Sequence, residues 1–200
     1  MKNDITEIES FTINNRLYQA IDYLHSNHLI HRDIRPTNIL FNHDNLPFVS
    51  GFDTVREIDG IQSNREMTRD FASHLYLSPE KNSDNKEISY PTDIFSFGLI
   101  VYFVFEKKEL VEFDHHKEFP PMTMGTKNIK NLYQLSVKLN QKERISRSVI
   151  YNILFDEAIK SNFFDNFNVN DYISIPIQYF YENIYLIFND ETKIDVNSNI

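Results

Sequence analysis

Apolar residues at Ile13, Leu17, Ala20, Ile21 and Leu24 recur at spacings of three and four, which predicts an amphipathic helix over residues 12–28 with one core-facing stripe. The pattern then changes. Pro36 interrupts any helix, Ile39, Leu40 and Phe41 form a short apolar run, and the turn-rich HDNLP at 43–47 leads into Phe48 and Val49, so a β-hairpin follows. Residues 51–80 are polar, carry little periodicity and close at Pro79, which predicts a long functional or mobile loop. From Thr92 to about Phe105 nearly every position is apolar, ending in FGLIVYFVF, and a helix with no polar face belongs inside a core. The run is far shorter than the roughly 20 residues that cross a bilayer, and Asp93 and Glu106 flank it. After an irregular acidic stretch and the Pro120–Pro121 pair, Leu132, Leu135 and Leu139 mark one face of a helix over residues 129–139, and residues 148–160 form another. Beyond about Phe164, Ile173, Ile175 and Ile177 alternate as in a strand, which Pro176 restricts to an edge or a bend.

Composition narrows the function classes. The 200 residues, 23.8 kDa, are enough for one domain or one lobe of a larger one, and 41% hydrophobic content with 17 Phe and 11 Tyr is that of a folded chain. A net charge of −9 opposes general binding to nucleic acid or to an anionic membrane, while leaving room for a local basic patch. Without cysteine there is no disulfide framework, thiol nucleophile or cysteine-ligated zinc. The polar, acidic start MKNDITEIESFTINN has no apolar signal core, so the expected location is intracellular, in the cytoplasm.

The densest chemical signal is His31-Arg32-Asp33-Ile34-Arg35-Pro36-Thr37-Asn38, placed between the first helix and the hairpin. A carboxylate on a rigid loop can accept the proton of an attacking hydroxyl, and an amide oxygen five residues on can ligate magnesium. Here the chain resembles the C-terminal lobe of the eukaryotic-type protein kinase superfamily, whose catalytic loop reads H-R-D-x-x-x-x-N. The resemblance continues in order. Ser78-Pro79-Glu80 is similar to the element that closes the activation segment, and Asp93 to Gly98, DIFSFG, to the start of the buried central helix. It implies a mainly α fold with short β-hairpins over residues 11–163, between a polar segment at 1–10 and a divergent tail at 164–200. Asp33 then matches the catalytic base, Asn38 the metal- and cofactor-binding amide, Leu40 the floor under adenine, and Arg35 the Lys that contacts the transferred phosphate. Asp93 matches the residue that holds the catalytic-loop backbone, and Glu80 and Arg144 match a structural ion pair.

Two departures set the functional expectation. The position thirteen residues after Asn38, where the family has the magnesium-binding Asp of Asp-Phe-Gly, is Gly51 of Gly51-Phe52-Asp53. Phe52 keeps the packing position against His31, whereas Asp53 lies about 6 to 7 Å further along an extended chain. The second departure is the missing ATP-binding lobe: the 30 residues before His31 hold no glycine-rich loop, and the four glycines of the chain are Gly51, Gly60, Gly98 and Gly125. The resemblance implies ATP and Mg²⁺ as cofactors of the family, with binding by this chain alone weakened. The leading expectation is therefore a degenerate, pseudokinase-like lobe that binds another protein, a kinase or its substrate. The alternatives are part of an active ATP-dependent Ser/Thr kinase whose other lobe lies elsewhere, and a gene product with no selected activity.

Other polar clusters read as structure or surface. His25, His28 and His31 fall at spacings of three, but His31 already has a packing role and no carboxylate completes a metal site there. Asp114, His115 and His116 read as a solvated acidic loop. Ser63, Thr68 and Ser73 occupy the segment that matches the activation loop, where Arg32 could pair with a phosphate on one of them. The aromatic tail, residues 171–188, is expected to cover the face around Phe52 and Leu40.

Overall fold

In the computed structural model the residues described are 5–43, 46–58, 75–82, 88–108, 110 and 119–160. The chain divides into two units, Met1–Ser161 and Asn162–Ile200, and the elements below belong to the first. Ser63, Thr68, Ser73, the Asp114–His116 cluster and the aromatic tail lie outside the described residues.

Among the described residues the fold is mainly helical with two short antiparallel strand pairs. Helix α1 (Glu7–Ser26) begins ahead of Thr12 because Thr6 and Glu9 form a reciprocal capping box: the Glu9 N–H donates to the Thr6 hydroxyl at 3.2 Å and the Thr6 N–H to the Glu9 carboxylate at 2.7 Å. Its first turns therefore reach into the segment read as polar, and Ser10 is buried. Leu17, Ile21 and Leu24 are fully buried, each burial contributing roughly 1.5–3 kcal/mol.

Four strands follow: β1 (Leu29–Ile30), β2 (Ile39–Phe41), β3 (Pro47–Val49) and β4 (Arg56–Glu57). β2 and β3 pair as the expected hairpin, in the register Ile39 to Val49, Leu40 to Phe48 and Phe41 to Pro47. β1 pairs with β4, Leu29 to Glu57 and Ile30 to Arg56. The segment read as one loop from residue 51 thus starts with a 3₁₀ turn, Phe52–Thr54, and a strand.

Helix α2 (Tyr90–Glu106) is buried on nearly all sides, as its sequence requires. α3 (Lys127–Ser136) starts at the cap Thr126, whose hydroxyl accepts from the Ile129 N–H, and ends three residues before Leu139. Its buried face is Ile129, Leu132, Tyr133 and Ser136, not the Leu132, Leu135 and Leu139 face expected; Leu139 is 45% exposed. α4 (Arg147–Lys160) buries Ile150, Leu154, Glu157 and Ala158. At Gly98 the α2 backbone meets α3 so closely that a Cβ would stand 2.5 Å from the Ser136 Cβ. No helix of the described residues is long and apolar enough to cross a membrane.

Candidate functional site

The strand pairs are nested, β2–β3 inside β1–β4, so the two connecting loops face one another. One is residues 31–38, and the other, 50–55, carries Gly51, Phe52 and Asp53. Hydrogen bonds sew them together: the Ser50 N–H donates to the Asn38 carbonyl at 2.8 Å and the Thr54 hydroxyl to the His31 carbonyl at 2.8 Å. The His31 Nδ1 accepts from the Asp33 N–H at 3.2 Å, and its Nε2 donates to the Ser50 carbonyl at 3.0 Å. Burial pushes the imidazole below its ordinary pKa, in keeping with that neutral tautomer. Phe52 meets the His31 ring edge-to-face at 5.3 Å.

Asp93, in the first turn of α2, sits beneath the first loop. Its carboxylate accepts from the His31 N–H and the Arg32 N–H, both at 2.8 Å, and from His25 Nε2 at 2.9 Å. Burial alone would raise its pKa, yet the hydrogen bond and charge of His25 and the Arg32 N–H hold the group below the carboxylate range. With its N–H held by Asp93, Arg32 adopts a left-handed φ of 72°.

The 3₁₀ turn Pro36–Asn38 brings Asn38 back onto Asp33. The Asn38 Nδ2 donates to the Asp33 carbonyl at 2.8 Å and to its Oδ2 at 2.7 Å. Because both neighbours can only accept, the amide must turn its nitrogen, not its oxygen, toward Asp33. Arg35 Nε lies 3.1 Å from the same Oδ2. Gly51, at φ 81°, comes against the flat of this carboxamide: a Cβ there would stand 2.6 Å from Nδ2, 2.7 Å from Cγ and 2.9 Å from Oδ1. Asp53 is exposed. A magnesium ion wants several oxygen ligands in octahedral array, and these residues do not fit it: position 51 has no carboxylate, and its side-chain space is filled by Asn38. Among the described residues no group of three or more His, Cys, Asp or Glu is placed to hold a metal. Leu40, on β2, is 54% exposed and its neighbour Phe41 45%.

A second brace lies under the end of the loop segment. Glu80 and Arg144 form a buried bidentate pair, at 2.6 Å to Nη1 and 2.7 Å to Nη2. Thr92 donates to Glu80 at 3.0 Å, while Arg144 donates to the carbonyls of Pro91, Lys138 and Leu139 and stands 4.8 Å over the Phe95 ring. Burial would raise the Glu80 carboxyl, and the Arg144 hydrogen bonds and charge bring it below the ordinary value. Next to it, the Lys81 ammonium donates to the Arg32 carbonyl, and burial followed by the Arg32 charge pushes it down to about 8.

These environments set a pH dependence. His31, Asp93 and Glu80 all have folded pKa values below their unfolded ones, so the unfolded chain binds more protons on the acid side and stability falls as pH falls. Lys81, at about 8 in the fold, already costs stability as pH falls from about 10.5 to 8; on the acid side the urea midpoint should drop again below about pH 6.5, where unfolded His31 charges, and more steeply below about pH 5, as the carboxylates titrate. His31→Gln should remove the upper of these two acid arms and leave the lower one; a midpoint flat from pH 7 to 4 would contradict the assignment.

Two site residues escape the sequence pattern. His25 continues the buried Leu17–Ile21 stripe at the next i+4 position, and a polar residue on such a stripe is the signal that would have marked it as a partner for a buried group. Lys81 has no signal beyond adjacency to Glu80.

A family model described as the protein kinase domain matches residues 1–165. A bifunctional serine/threonine-protein kinase/NEDD4-like E3 ubiquitin-protein ligase of Dictyostelium discoideum is 37% identical over 87 residues, 44% of this chain and 5% of that protein. An Aurora kinase of Debaryomyces hansenii is 36% identical over 113 residues, 54% of this chain and 27% of the relative. Mitogen-activated protein kinase kinase 3 of Arabidopsis thaliana is 37% identical over 89 residues, 44% and 16%. The chain thus spans about a quarter or less of the length of these relatives. With the family model covering most of its length, this chain belongs to the protein kinase domain family.

Proposed function

We propose that this chain is a phosphotransfer-deficient kinase lobe that acts by binding another protein. The observation that carries the reading is at position 51, where the family's metal carboxylate is replaced by a glycine against which Asn38 packs. The bracing of the loop is retained around Asp93, and the Glu80–Arg144 pair is intact, so what has been kept is shape. Exposed Leu40 and Phe41 supply apolar surface of the kind a protein partner covers. Nucleotide would have Leu40 as a floor, while the 200 residues contain no glycine-rich loop to close over its phosphates. The second reading, a portion of an active Ser/Thr kinase, is favoured by Asp33, Arg35 and Asn38 lying together.

One assay separates them. Purified chain incubated with labelled Mg-ATP and a generic protein substrate is expected to transfer no phosphate, and Asp33→Ala to leave that blank unchanged. Transfer that Asp33→Ala abolishes would overturn the binding reading in favour of the enzyme.

A further inference from the structure

The functional reading leaves Lys81 without a role. It is half-buried in the 3₁₀ turn Pro79–Asn82, one position after the Glu80 that is locked to Arg144, and its side-chain nitrogen is held against the Arg32 carbonyl. A cation is poorly matched to that place. Among the described residues the charges facing it are the guanidinium groups of Arg32 and Arg35 and the carboxylates of Asp33 and Asp93, and Arg56 on β4 adds a further cation beside Arg32. Both carboxylates already have partners: Asp33 Oδ2 has Asn38 Nδ2 at 2.7 Å and Arg35 Nε at 3.1 Å, and Asp93 has His25 and two backbone N–H groups. Arg32 differs. Its Nε is buried and meets no acceptor among the described residues, although a buried donor left unpaired is costly. That donor belongs to the same residue whose carbonyl takes the Lys81 bond, so the amine and the orphaned guanidinium are neighbours through covalent structure alone. Burial, followed by the Arg32 charge, brings the Lys81 amine down to about 8, where half of it is unprotonated and nucleophilic while an ordinary lysine stays protonated.

We infer that Lys81 is a carbamylation site, at which the side-chain amine adds carbon dioxide and the carboxylate so formed becomes the missing acceptor for Arg32. The unprotonated Nζ attacks the carbon of CO₂. A C–N bond forms as one C–O π bond opens to an oxyanion, and the nitrogen then releases its extra proton to solvent. No oxidant or reductant takes part. The product keeps one N–H on Nζ, which suffices for the bond to the Arg32 carbonyl, and it replaces a positive charge by a negative one. Lys81, Arg32, Arg35 and Arg56 facing Asp33 and Asp93 thereby become a balanced set of three cations and three anions. The inference goes beyond the phosphotransfer reading and holds whichever way that assay falls.

The test is to equilibrate the full chain with ¹³C-labelled CO₂ and bicarbonate at about pH 8, record the carbon resonances, and trap the adduct with triethyloxonium ion before peptide mass mapping. The ethylated carbamate should map to Lys81. Trapping there should exceed that at exposed lysines such as Lys142 by about 10-fold or more, and at fixed CO₂ pressure it should rise as pH is raised from about 7 to 9. The α-amino group, with an ordinary pKa of about 7.7–8.0, also reacts and is separated by the same mapping. Lys81→Arg keeps the charge but offers no nucleophile, and it should remove the Lys81 resonance. Arg32→Met should lower occupancy at Lys81 by about 10-fold or more, since the carboxylate then lacks its charged donor. Mapping on the native chain decides the matter if either variant fails to fold. No label at Lys81, label spread evenly over the lysines, or an Arg32→Met chain as fully carbamylated as the native one overturns the inference.

Discussion

Asp93→Ala is expected to remove about 3–5 kcal/mol of folding stability, because it strands three donors at once, two of them buried. The buried ones are the His31 backbone N–H and His25 Nε2, the third is the part-buried Arg32 N–H, and all lie within 2.9 Å of the carboxylate. A stranded buried donor costs about 1–3 kcal/mol, and a domain's total stability is about 5–15 kcal/mol, so the variant should stand near the edge of folding. Urea unfolding gives the magnitude. Amide exchange gives the location: the His31 and Arg32 protons should be protected in the native chain and exchange orders of magnitude faster in Asp93→Asn, which keeps the side-chain volume but brings an amide donor toward donors. A loss under about 1 kcal/mol would mean the loop finds other acceptors and that Asp93 is not its anchor.

The Glu80–Arg144 pair should show an asymmetry that a simple ion-pair count would miss. Breaking a buried pair from one side costs about 3–5 kcal/mol, because the remaining charge is left in a low-dielectric site. The two residues leave different surroundings behind. With Glu80→Ala the guanidinium keeps the carbonyls of Pro91, Lys138 and Leu139 and the face of Phe95. With Arg144→Ala those three carbonyls lose their donor and the carboxylate keeps the Thr92 hydroxyl in place of a cation. Arg144→Ala should therefore be the more damaging by about 1 kcal/mol or more. The double replacement by Met should recover much of the loss, since no charge is then stranded. Equal single-substitution losses, or a double variant as unstable as their sum, would count against this account.

Much of this architecture could be read from residue pattern, and the parts that could not have identifiable causes. The β2–β3 hairpin was legible because an apolar run, a turn-rich segment and a second apolar run stand in line, and α2 because nine successive residues leave no polar face. The start of α1 was misplaced by weighting the apolar stripe over the T-x-x-E signature at Thr6 and Glu9. β1 and β4 are two residues each, too short to express a period, yet they nest the loops. For α3 the Leu132, Leu135, Leu139 spacing ran past the helix end at Ser136, and Ile129, Tyr133 and Ser136 complete the buried face with Leu132 instead. At the site, the motif identifies Asp33 and Asn38 and the glycine at 51, but spacing along a chain carries no information on which way an amide turns. That Asn38 fills the place of the missing carboxylate is a matter of contact across two loops.

The two braces also impose an order on events. Asp93 is 62 and 61 positions from His31 and Arg32, and Glu80 is 64 from Arg144, whereas β2 and β3 meet across residues 42–46. Closing so long a loop costs entropy before any contact repays it, so the hairpin and α1 can form early while both braces close late. Interactions that form after the rate-limiting step govern how long a folded molecule lasts and have little influence on how quickly it arises. The lobe's buried carboxylates are thus fasteners set last, and their strength is felt in the lifetime of the folded chain.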